Sequence, residues 1–380
     1  MAEGDIGAVL GTLEFDPNNG ETPNLVHVAG NVYGIAYRDV NGHGKVVAVS
    51  ISTDGLTITL LAGTVEFEDT AAEYIDMIHV SGNVYAVVYE GPSIHGWIKT
   101  VSISDDGATI TLLAGSLEYY DNTADNPKII HIAGTVYAVV YEAYGYDGTV
   151  RAISISADGS SITLLAGNVI YDATKGSRGK LIHVSGTVYA VVYQGPDFDG
   201  WLRTVNITDN GVAVTLLAGN VEFDANAGKY PDIIHVSGTV YAVAYGDTNN
   251  HGQGKTVSIS DDGATVTLLA GSIEFDGTTG LKAKIIHVSG NVYAVAYQGP
   301  DFDGWLKTIT ISDDGATITL TGQSLEFDTG ACSNPDMLFV AGNVYAIAYS
   351  GDGADGWLKT VEIETVLAGF GKHLMMMGIG

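Results

Sequence analysis

His27, His79, His131, His183, His235 and His287 recur every 52 residues, and Phe339 takes the next place in the series. A ring of imidazoles suggests metal binding. Phe339 interrupts the set, so a hydrogen bond between successive repeats is the simpler reading. Two loops read Asp197-Phe198-Asp199-Gly200 and Asp301-Phe302-Asp303-Gly304, with Asp352 and Asp355 in the corresponding loop near the end. Oxygen-rich loops with glycine suit Ca²⁺, which makes Asp197, Asp199, Asp301 and Asp303 the calcium candidates. His43, His95 and His251 fill the same slot before glycine, and Asp, Asn and His all tolerate a left-handed turn. An ordinary turn with no cofactor explains the slot as well. Trp97, Trp201, Trp305 and Trp357 follow that glycine, and Tyr144, Tyr146, Phe198 and Phe302 lie in the same loops. Beside Asp199, Asp303 and Asp355, such rings can hold a sugar by stacking and hydrogen bonding. Alternatively the tryptophans are packing residues. Lys99, Arg151, Arg203, Lys255, Lys307 and Lys359 share one slot, and Glu14, Glu66, Glu118, Glu222, Glu274 and Glu326 share another, with Ile170 the exception. These two sets read as surface ion pairs between neighbouring strands.

The elements that carry these residues repeat as well. Tyr33, Tyr85, Tyr137, Tyr189, Tyr241, Tyr293 and Tyr345 are 52 residues apart with no insertion or deletion. Each unit reads as four strands, as in "IIHVS", "VYAVAY", "WLKTITIS" and "TITLTGQSLEF" between residues 285 and 328. β-branched and aromatic residues dominate, and no helical period survives. Gly290-Asn291 marks a two-residue hairpin, and Asp314-Gly315 suits a type I′ turn. With a two-residue turn, His287 opposes Ala294 and Val288 opposes Tyr293. One face then carries Ile286, Val288, Tyr293, Val295 and Tyr297, and the other carries His287, Ser289, Val292, Ala294 and Ala296. A bulky face and a small face can stack unit on unit, the small face of one receiving the tyrosines of the next. Four-stranded units of this length stacked radially are propeller blades. The sequence predicts an all-β, seven-bladed β-propeller with four antiparallel strands per blade. The last unit lacks its fourth strand, and the N-terminal strand at 6–15 supplies it, closing the ring. Residues 1–364 form this single domain. The apolar tail 365–380 packs on protein or contacts a partner or another copy.

The chain of 380 residues carries 44 acidic and 16 basic residues, a formal charge of −28. That surface repels nucleic acid and anionic membranes, and no segment is long enough to insert in a bilayer. Neutral ligands such as sugars, and cations, suit it better. The single Cys332 excludes an intrachain disulfide. The N-terminus lacks the basic and apolar regions of a signal peptide.

With its repeats in view, the chain resembles seven-bladed β-propellers built from near-identical blades in extracellular prokaryotic proteins. The Gly-His and Trp-Asp signatures of WD40 repeats and the paired glycines of kelch are missing. The "DFDG" loops are similar to part of the integrin-like calcium blade. The resemblance implies an extracellular or cell-surface protein. The variable residues fall on one face, in loops such as 16–24, 172–180 and 328–336 after strand four and 39–44, 91–96, 195–200, 299–304 and 351–356 after strand two. A site is expected on that face or at the mouth of the central channel. Catalysis needs unlike groups converging on one point, whereas the charged residues here recur in rings. The expectation is therefore not an enzyme but a binding or scaffold propeller, lectin-like, for a carbohydrate or protein ligand. A structural surface or assembly module is the alternative, and a hydrolase or lyase on a propeller scaffold comes last.

Overall fold

The computed structural model describes residues 2–365. The tail expected to make contacts falls, from residue 366 onward, outside the described residues. Strands dominate the chain; among the described residues there is no α-helix, only five short 3-10 turns in loops. Repeat 6 shows the pattern, with strands Leu281–Ser289, Val292–Gln298, Asp303–Ile311 and Ile318–Ala331. The second strand is buried at every position, because its bulky and small faces are both covered by neighbouring repeats. Its near-continuous apolar sequence follows from that.

The strands form six sheets, five with four strands and one with seven. The large sheet arises where one strand, Ile110–Ala133, runs unbroken from the end of repeat 2 into repeat 3. The N-terminal strand Ile6–Asp16 pairs antiparallel with the last strand Gly356–Ile363, placing Leu13 opposite Leu358. The architecture is an all-β repeat fold with the character of a propeller.

Seven apolar clusters lie between consecutive repeats. Ala242 and Ala244 of repeat 5 receive Tyr293, Val295 and Tyr297 of repeat 6. Ala346 and Ala348 of repeat 7 receive Tyr33, Ile35 and Tyr37 of repeat 1, with Phe15 of the N-terminal strand completing the cluster. Small side chains on one sheet face thus make room for tyrosines on the next, as the sequence predicts.

Three local expectations need correction. His287 pairs with Tyr293 and Ile286 with Ala294, because a bulge near Val288 adds one residue to the first strand. The bulge moves Ile285 and His287 to the bulky face and Ile286 to the small one. The Asp-Gly turns are also wider than a two-residue hairpin. Ile311 pairs with Ile318, and Gly315 alone takes positive φ, at 68°, closing a turn onto Ser312.

The third correction concerns the charged rows. Lys307 does not pair with the glutamate row; its Nζ donates to Phe275 O at 2.6 Å and to Asp276 at 3.0 Å, both in the preceding repeat. Tyr297 Oη donates to the other side of the same lock, reaching Asp276 at 2.8 Å. Equivalent locks join Tyr89 and Lys99 to Glu68, Tyr245 and Lys255 to Asp224, and Tyr349 and Lys359 to Asp328. Arg203 and Arg151 instead donate to the carbonyls of Tyr171 and Tyr119. These are half-buried bonds between repeats rather than surface pairs within one, and each ties two sheets together.

Candidate axial site

At the start of each repeat's first strand one residue takes a left-handed backbone. Thr22, Tyr74, Asn126, Arg178, Tyr230, Lys282 and Asn334 have φ between 48° and 55°. They are again 52 residues apart. Left-handed backbone is uncommon for large side chains and costs of order 1 kcal/mol at each. All seven residues line one cavity of about 410 Å³, to which every repeat contributes. The backbone repeats here, and the side chains do not.

Two residues further on, a second ring forms the cavity floor. Asn24, Asp76, Lys128, Lys180, Asp232, Lys284 and Asp336 all line it. Lys128 meets Asp76 at 3.2 Å, Lys284 meets Asp336 at 2.8 Å, and Lys180 pairs with Asp232. Asn24 bridges Asp76 and Asp336 at 3.2 and 3.3 Å. Asp76, Asp232 and Asp336 also accept the backbone N–H of Ile129, Ile285 and Leu25 in a following repeat. This floor is internally neutralised and structural.

The upper ring is not neutralised. The Arg178 guanidinium lies 3.8 Å from the centre of the Tyr230 ring, with Lys282 Nζ 5.8 Å from the same centre. Lys282 donates to Ser333 Oγ at 2.5 Å. Neither cation is in ion-pair contact with a carboxylate among the described residues. Burial, and then the nearby Arg178 charge, pushes the Lys282 amine below its ordinary pKa. Glu73 and Glu90 of repeat 2, and Asp125 and Glu142 of repeat 3, stand opposite each other on the first and second strands, just before Tyr74 and Asn126 of the ring. Burial, Asp125, Glu73 and Glu142 push Glu90 up to about 7. Burial and Glu142 push Asp125 up to about 6, against the pull of Arg178.

The residues singled out from sequence lie elsewhere. Each ring histidine is exposed on the first strand and bonds, through Nε2, the glycine carbonyl three residues on, at 3.0 Å for His27 and 2.9 Å for His287. His79, His131, His183 and His235 do the same. The bond stays inside one hairpin and does not link repeats. Each imidazole meets its cross-strand tyrosine edge-on, and Phe339 meets Tyr345 in the same way.

Trp97, Trp201, Trp305 and Trp357 are half-buried at the start of third strands. Trp201 packs on the cluster around Tyr193, and its indole N–H has no partner. Trp201→Ala should lower unfolding free energy by about 1–3 kcal/mol, measured by urea denaturation; an unchanged midpoint would remove the packing role.

The glutamate row meets the slot before glycine. His43 bonds Glu66 at 3.0 Å, His251 bonds Glu274 at 3.2 Å, and His95 pairs with Glu118. Where that slot holds aspartate, carboxyl faces carboxyl. Burial and Asp197 push Asp199 up, and burial and Asp199 push Glu222 up. Glu326 is raised by its hydrogen bond with Asp303. Asp197, Asp301 and Asp352 are exposed and Asp355 is half-buried. Among the described residues, two groups have donor atoms close enough to hold one divalent ion: Asp39, His43 and Glu66, and Asp247, His251 and Glu274. These groups fall in the histidine-bearing loops, expected only as turns, and not at Asp197, Asp199, Asp301 and Asp303, the calcium candidates.

No family model and no curated protein sequence matches the chain. Solved structures do. A provisionally assigned 6-phosphogluconolactonase of Bacteroides fragilis matches over 81% of this chain and 85% of its own, at 16% identity and TM-score 0.60. Sqt1 of Chaetomium thermophilum, bound to the N-terminus of ribosomal protein L10, matches over 92% and 86%, at 15% and 0.54. BBS1N in complex with ARL6DN matches over 96% and 99%, at 10% and 0.57. The fold is propeller-like. At such identities the likeness is one of fold.

The expectation that the chain is not an enzyme is corrected here. Similar folds include two provisionally assigned lactonases. The expectation also rested on charges recurring in rings, and the upper ring of the axial cavity breaks that rule. Loops 16–24, 172–180 and 328–336 already contain Thr22, Arg178 and Asn334. Comparing the slot at 22 with its six equivalents was the signal that could have found the site.

Proposed function

We propose that the chain is a seven-bladed β-propeller, closed between its N-terminal strand and its last repeat, and that its axial cavity is the site of a hydrolase. The substrate is a small ester or lactone bearing an anionic group. One observation carries this reading. In a chain with 44 acids and 16 bases, Arg178 and Lys282 flank Tyr230 in the cavity, and among the described residues neither cation meets a carboxylate. Cations are scarce in this protein, and leaving two of them together is costly unless an anion joins them. Arg178 supplies a planar fork for phosphate or carboxylate, and Lys282 a point charge. Seven repeats give the cavity a rigid wall, and the neutral floor beneath keeps Asp76, Asp232 and Asp336 from repelling the ligand.

Opening of a phosphorylated sugar lactone is the first activity to assay, given the lactonases that share the fold. Water adds across the acyl C–O bond, giving a carboxylate, a hydroxyl and a proton. R178A/K282A should raise KM by about 10–100-fold, the effect of losing about 1.5–3 kcal/mol of charged hydrogen bonding, with a smaller change in kcat. A rate equal to spontaneous hydrolysis in the native protein, across several phosphorylated and carboxylated lactones and esters, would overturn the hydrolase reading.

A further inference from the structure

We propose that Glu73, Glu90, Asp125 and Glu142 bind an organic cation with two ammonium groups, a short diamine or polyamine. Glu73 lies directly opposite Glu90 on paired strands, and Asp125 directly opposite Glu142. The same slots in repeat 1 hold Glu21 opposite Arg38, an ion pair. Repeats 4 to 7 place Ser177 opposite Gln194, Lys229 opposite Gly246, Leu281 opposite Gln298 and Ser333 opposite Ser350. Like charges directly opposite each other destabilise a sheet. Only repeats 2 and 3 accept that penalty, and they are neighbours.

Glu142 supplies the second observation. It is 7% exposed, and among the described residues its carboxylate receives no hydrogen bond and meets no cation. It stands directly opposite Asp125 on the paired strand, so the two side chains share one sheet face. Its oxygens are not among the sealed side-chain atoms that lack a partner, so this unpaired carboxylate is open to a ligand from solvent. Arg38 reaches Glu73 only at 3.8 Å while engaged by Glu21. The four carboxylates are not among the groups close enough to chelate one metal ion. Two separate acid pairs, on adjacent repeats, instead match two ammonium groups joined by a short alkyl chain. Each ammonium has three N–H donors to distribute. Tyr74, next to Glu73 on the cavity wall, has its hydroxyl pKa pushed up to about 12 by burial and then by Asp125 and Glu73.

The test is calorimetric titration of putrescine into the full chain at pH 8 and 150 mM NaCl, a salt level that screens the diffuse surface charge. The expected result is a saturable one-site isotherm. Affinity falls at least about tenfold in E90Q/E142Q, falls likewise in D125N, and is unchanged in D105N/D313N, whose exposed acids lie in turns elsewhere. Affinity also rises from pH 5.5 to 8.5 as Glu90 and Asp125 deprotonate. The charged groups around them are Glu73 and Tyr74, Glu142, and Arg38 and Arg178 from the flanking repeats. A melting scan separates folding from binding: E90Q should melt higher than the native protein at pH 8 and equally at pH 4. Heat that never saturates, or equal weakening in D105N/D313N, would show diffuse attraction and overturn the site. Saturation by CaCl₂ but not putrescine would overturn it too. Arg178 and Lys282 are untouched in these variants, so the lactone assay and this titration fail independently.

Discussion

Deletion of residues 1–16 lowers the melting temperature by about 10 °C or more, or prevents folding. The strand it removes, Ile6–Asp16, is the only partner of the outer edge of Gly356–Ile363 among the described residues. Phe15 leaves the cluster between repeats 7 and 1, where it packs edge-on to Tyr37 at 5.2 Å. Asp16 leaves the hydroxyl of Tyr37, which it accepts at 3.0 Å. The loss opens a sheet edge and uncovers the cluster between repeats 7 and 1, which no other described element covers. In a chain this long, one kcal/mol moves the midpoint by only about one or two degrees, so a shift of ten degrees reports a loss of many contacts. Differential scanning calorimetry measures it. A truncated protein melting within about 2 °C of the full chain would refute closure by this strand.

Asp276→Ala has the next largest effect, a loss of about 3–5 kcal/mol. The substitution strips the carboxylate from Lys307 and from the buried hydroxyl of Tyr297, both in the following repeat. It also removes the acceptor for Thr278 and Thr279 in the loop. Asp16→Ala should cost less, because Val47 occupies the lysine slot in repeat 1 and no cation is stranded there. Urea denaturation of both variants checks the order; equal costs would deny the lysine its part in the lock.

The same lock sets an acid limit. Burial raises the Asp276 pKa, but the bonds from Thr278, Tyr297 and Lys307 outweigh it and hold the group down to about 2. Its contribution to stability is therefore complete above the ordinary carboxyl range near about 4 and is lost as pH falls toward 2. Glu90 and Asp125 act in the opposite sense. Their raised pKa values favour the protonated fold below about 4, and that contribution is lost as pH rises through about 6 and 7. Stability should peak on the acid side of neutrality.

Legibility in the sequence followed the physics of repetition. Strand type, repeat length and the nesting of tyrosines against alanines all follow from a 52-residue ladder of simple apolar patterns. The first-strand register did not, because the bulge near Val288 leaves no mark in hydrophobic alternation. The locks were missed for a different reason. Glu274 and Asp276 are both acids within two residues of each other, and only the packing of the next repeat shows which of them meets Lys307. The axial residues are least legible, since a repeat consensus hides the slots where it fails. Tyr74, Arg178 and Lys282 are informative because they differ from their equivalents.

The most direct test of the axial site is a crystal structure of the protein soaked with a phosphorylated sugar acid, the product of the proposed hydrolysis. The account predicts phosphate density between the Arg178 guanidinium and Lys282 Nζ, beside the Tyr230 ring. Density only on the outer loops beside Trp201 or Trp305, or an axial cavity holding solvent alone at saturating ligand, would contradict it.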